Sequence, residues 1–96
     1  MTDSDAGGKS LDALIGDQVV LDVKANLVYI GTLDEAREDM LVLREADVHF
    51  CGDTETTQEF YVLQTKKDGI RVNRSVVYVM REQVVSLSRL SDVMDY

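Results

Sequence analysis

Few residues in this chain are equipped for chemistry. The single histidine, His49, precedes the single cysteine, Cys51, by two positions and Asp53 by four. On an extended strand that spacing turns an imidazole, a thiol and a carboxylate to one side, a combination able to bind zinc. One chain supplies one nitrogen and one sulfur ligand, short of a closed site, so no metal is expected. The same scarcity starves histidine-based acid–base catalysis, because the only thiol partner is a near neighbour rather than a group across a cleft. Carboxylate pairs such as Glu38 and Asp39 recur because acids are abundant, and no GxGxxG, P-loop or GxSxG motif occurs. The reading is therefore of a non-enzyme, with no catalytic residue, no cofactor and no small-molecule substrate.

The cations are more suggestive. Lys66, Lys67, Arg71 and Arg74, with Phe60 or Tyr61 nearby to stack, fit either a track for a nucleic-acid backbone or the solubilising charge of a protruding hairpin. Arg81, in a short turn, fits either a phosphate contact or a solvated arginine bonded to a neighbouring acid. Residues 64–81 carry a net charge of +4 in a chain whose total is −8, whereas residues 34–59 hold nine acids against two arginines. The total repels a polyphosphate at long range. The asymmetry suits head-to-tail contacts between an acidic and a basic face, an anionic ligand at the basic part, or plain solvated strand faces and loops.

These residues must be positioned by one small domain, since 96 residues leave no room for a second core. At 45% hydrophobic and 29% charged the chain reads as globular. No apolar run approaches the roughly 20 residues of a membrane helix, so no membrane is expected. The acidic start has no export signal, and one cysteine cannot form an internal disulfide. A cytoplasmic location follows as the expectation.

Along the chain, residues 1–9 read as a flexible tail. Ser10 as N-cap, Leu11, Leu14 and Ile15 on one face and Gly16 at the end predict a short amphipathic helix over 10–16. Strands follow: 18–24, a reversal at Ala25-Asn26, then 27–33, whose two apolar faces must both be covered. Gly31 in its middle predicts a sharp bend where backbones come close. A third strand starts at Met40 and extends toward Phe50, and 51–58 reads as a loop. Phe60–Leu63 and Ile70–Val72 around Lys66-Lys67-Asp68-Gly69 predict a second hairpin. Val76–Met80 and Val84–Leu87 are the last strands, joined by Arg81-Glu82-Gln83, with residues 91–96 as a C-terminal tail.

Helix, Val19-Val20-Leu21-Asp22-Val23, tight turn, Tyr29-Ile30-Gly31-Thr32-Leu33 and Met40-Leu41-Val42-Leu43 together resemble the first signature block of the Sm and Sm-like proteins. Val79-Met80-Arg81-Glu82-Gln83-Val84-Val85-Ser86-Leu87 resembles their second block and is closest in rhythm to Hfq. The resemblance covers most of residues 10–88, with a long variable loop or hairpin at about 47–73. It implies a mostly β fold: an N-terminal helix, then a strongly bent five-stranded antiparallel barrel over 10–90. It further implies a homo-oligomeric ring, a hexamer or heptamer, that binds RNA. The family's RNA-pocket residues differ here. Arg37 stands where the family has an Asp six positions after the strand-two glycine, and Asp39-Met40 replaces its Met-Asn pair. No aromatic or histidine lies between Asp34 and Asp39, so the usual stacking platform is missing from that loop. The family's Arg-Gly is Arg81-Glu82; an alternative register at Val72-Asn73-Arg74-Ser75 also lacks it. Two functions of different class follow: RNA contact through Arg81 and Lys66, Lys67, Arg71 and Arg74, or a homo-oligomeric scaffold for protein contacts that has lost the RNA site.

Overall fold

The computed structural model describes residues 11–52 and 55–94. Ser10, Asp53, the tail at 1–9 and the last two residues of the tail at 91–96 lie outside them. Five strands, β1 (Gln18–Val23), β2 (Leu27–Ala36), β3 (Met40–Phe50), β4 (Arg74–Met80) and β5 (Val84–Arg89), form one antiparallel sheet in the order β4-β3-β2-β1-β5. A 14-residue helix, α1 (Glu55–Asp68), lies between β3 and β4.

The sheet curls until its two edges share a core. Val79 of β4 packs in one cluster with Val19, Leu21, Leu33, Leu41 and Leu43, and Leu87 and Val84 of β5, the opposite edge, pack against the same cluster. β2 and β3 come closest to each other's backbone at Gly31, beside a register shift. Gly31 has no room for a side chain, because a Cβ there would lie 2.8 Å from the Ala46 Cβ and 3.0 Å from its Cα. Opposite it, β3 bulges: Ile30 pairs with Asp47 and Thr32 with Arg44, and the extra residue, Glu45, takes φ +50. The close approach predicted at Gly31 is present, and it coincides with the bulge.

The second face of β2 is covered by α1. Val28 and Ile30 pack with Val20, Cys51, Val62 and Leu90, so helix and C-terminal 3-10 turn (Leu90–Asp92) together close that side. This corrects two expectations. Among the described residues the helix of the fold lies between β3 and β4 rather than at the N-terminus: of 11–16, only Leu11 and Asp12 are helical, and 13–16 are turns closed by Leu14 and Ile15 N–H bonds to the Leu11 and Asp12 carbonyls. Gly16 instead donates to Leu33 across the fold, at 2.8 Å, which ends any helical continuation. Nor is there a hairpin at Lys66–Gly69. Gln58, Tyr61, Val62 and Thr65 share the covered side of a helix that swallows most of the expected loop and strand. Gly69, at φ +93 with its N–H on the Thr65 carbonyl at 2.8 Å, is the left-handed residue that stops it.

Candidate functional site

Arg81 opens the 3-10 turn (Arg81–Gln83) between β4 and β5. Its backbone N–H donates to Asp39 O at 3.0 Å and its Nε to Arg37 O at 2.6 Å, so it ties this turn to the β2–β3 turn. Arg37 donates in turn to Glu35 Oε1 at 2.7 Å, and that bond, together with Glu35's charge, raises the arginine's pKa. Arg37 and Arg81 thus sit together at one end of the sheet, with Glu35, Asp39 and Glu82 beside them. Tyr78, 56% exposed on β4, lies close enough to Arg37 to act on its charge.

Lys66, Lys67, Arg71 and Arg74 are not gathered around a hairpin, and they are not with Arg81. Arg74 begins β4 and Arg81 follows its end, which separates them by about 20 Å of strand. Lys66 Nζ donates to the carbonyls of Ser91, at 3.3 Å, and Val93, holding the C-terminal segment onto α1. Lys67 is exposed on the same last turn of the helix. Arg74 folds onto the Asn73 carbonyl at 3.0 Å, and Arg71 acts electrostatically on Asp47.

Asp47 is the buried polar feature that sequence reasoning missed. It is 6% exposed and accepts from the Tyr61 hydroxyl and from Asn73 Nδ2 at 2.9 Å. Asn73 Oδ1 accepts from the Val48 N–H at 3.0 Å, so helix, strand and the segment before β4 are latched at one carboxylate. Burial raises the Asp47 carboxyl above its ordinary value, while the charges of His49 and Arg71 pull it back. His49 stacks on Tyr61 with ring centroids 3.8 Å apart. Cys51 turns into the core between α1 and the sheet, where burial first, then the charges of Asp22 and Asp47, push its thiol pKa up. The imidazole and thiol are therefore each engaged elsewhere, and among the described residues no cluster of three or more His, Cys, Asp or Glu could hold a metal. No helix among those residues is long and apolar enough to cross a membrane.

The curled sheet, with both edge strands open, decides the comparison with known structures. The Pyrococcus abyssi Sm protein, solved in complex with a uridine heptamer, superposes with a TM-score of 0.60 over 84% of this chain and 93% of that one, at 12% identity. The fold is Sm-like. A chain of the NatC complex bound to CoA matches with a TM-score of 0.56 at 15% identity, covering 88% of this chain and 94% of that one. The NatC complex bound to Gag peptide and CoA gives 0.54 at 15% identity, over 80% and 86%. No protein-family profile and no curated protein matches the sequence.

Besides its open edges, the chain has a groove of about 460 Å³ between α1 and the β1–β5 side of the sheet. Its walls are apolar at Val20, Val62, Leu63, Val93 and Met94, and Asp22 lies on its floor. Asp22 accepts from Gln58 of α1 and from Ser86 Oγ of β5, the latter at 2.7 Å.

Proposed function

We propose that this Sm-like chain assembles head to tail with copies of itself into a closed, non-catalytic ring, a hexamer or heptamer, that serves as a binding platform. One observation carries this reading: β4 and β5 are the two ends of the sheet order, so each leaves a row of backbone donors and acceptors unpaired. Such edges template pairing with another strand, and an edge of one kind on each side of a subunit generates a ring when the rotation closes. The apolar side chains at these edges agree, with Val85 68% and Met80 40% exposed.

A second reading adds RNA to the ring, contacted through phosphates by Arg81 beside Arg37. In its support, these two arginines share one end of the sheet, and the Sm protein of similar fold was solved with a uridine heptamer. The acids around them and the total charge of −8 favour a scaffold for protein contacts instead. Native mass spectrometry of the full chain, alone and with oligo-U, oligo-A and a mixed RNA at two salt strengths, tests both. A six- or seven-fold species is the expected result, and a monomer at tens of micromolar overturns the ring. Phosphate-bound RNA should leave steeply as salt rises and be lost in Arg81→Glu. A ring that never retains RNA leaves the scaffold.

A further inference from the structure

The groove between α1 and the sheet has an open strand edge as its neighbour, and strand geometry dictates what would reach it. In β5, Leu87 faces the shared core, while Ser86 bonds Asp22 and Ser88 lines the groove. In β4, Val77 and Val79 face that core, so Val76, Tyr78 and Met80 point the other way. Directly opposed residues of an antiparallel pair share a face. An added β4 that continues the core face across the joint, Val77 or Val79 opposite Leu87, therefore sets Tyr78 opposite Ser86 or Ser88, at the groove mouth.

We infer that the occupant of this groove is Tyr78 of a second copy of this chain, seated as β4 of one subunit adds to β5 of the next. Charge supports the choice of occupant. β4 itself carries Arg74 and no acid, whereas Asp22 and Glu59 line the groove, so the arriving strand and its receptor are complementary. Tyr78 also has the character of an interface anchor: it is more than half exposed, large and amphipathic. The inference rests on the ring reading above and adds to it the side chain that sets register and partner.

The test uses the full chain. Tyr78→Ala is expected to raise the subunit dissociation constant at least tenfold by sedimentation, with unchanged circular dichroism, and Tyr78→Phe to stay within threefold of wild type. In equimolar mixtures, Tyr78→Cys should cross-link to either Ser86→Cys or Ser88→Cys under mild oxidation. Wild-type assembly that survives Tyr78→Ala, or that yields neither cross-link, overturns the groove assignment and leaves edge pairing standing. A wild-type chain that stays monomeric throughout overturns both.

Discussion

Gly31 and Asp47 are the two residues on which the local geometry turns. With the Ala46 Cβ 2.8 Å from where a Gly31 Cβ would stand, and Ala46 backbone just behind it, Gly31→Ala has no flexible neighbour to displace. The expected cost is about 1–3 kcal/mol, as for other overpacked sites, with partial recovery in the double variant Gly31→Ala/Ala46→Gly. Urea unfolding of the three chains checks it. At Asp47 the dominant influence is burial, so its pKa lies above the unfolded value. A group of that kind favours folding while protonated in both states and loses that contribution as pH rises through its folded-state pKa. Asp47 should titrate above the ordinary carboxylate value by carbon-13 NMR, and higher still in Arg71→Met, because Arg71's charge pulls it down. A midpoint at or below that of an unfolded aspartate contradicts the burial argument. Cys51, 4% exposed with its thiol pKa raised, should react with an alkylating reagent only as fast as the fold opens. The sequence reading put it at the start of a loop; its side chain is inside.

At the scale of elements, α1 bonds to both the sheet and the C-terminal segment. Lys66 joins the last turn of the helix to the Ser91 and Val93 carbonyls. Lys66→Met keeps the aliphatic stem and removes the donor, so amide exchange at Val93 should quicken while the melting temperature moves little, as befits an exposed contact. Unchanged exchange would show that the segment is held by Leu90 and Val93 packing alone. This helix is also where the sequence misled. Phe60-Tyr61-Val62-Leu63 is a β-rich run and Asp68-Gly69 a hairpin signal, while the residues α1 turns inward include polar Gln58 and Thr65 and leave Phe60 outside. A helix whose packed side is that polar writes almost no apolar period. The strands were legible because their alternation is real: β1, β3, β4 and β5 lie within a few residues of where the pattern put them, and both faces of β2 are buried. Of the candidate site, the Arg81 turn was legible from its length. The Asp47–Tyr61–Asn73 latch was not, because it joins three segments whose proximity only the fold creates.

For the whole molecule, the open edges connect folding to association. A monomer leaves the outer backbone groups of β4 and β5 to water; the proposed ring would pair them and cover Val85 and Met80. If folded chains associate and unfolded chains do not, mass action adds stability as concentration rises, about 1.4 kcal/mol per decade where each subunit contributes one interface. For a domain of this size that is a rise of several degrees in melting temperature for every tenfold increase in protein. The effect should be strong in wild type and weaker in Tyr78→Ala, and it is read without any added ligand. Added salt gives the independent lever: it screens both the repulsion between chains of charge −8 and the attraction between the arginine-bearing strand and the acidic groove. Apolar strand pairing is insensitive to either, so the concentration dependence should persist at high salt. A melting temperature flat with concentration at every ionic strength would mean that the two edges of this sheet stay apart in solution.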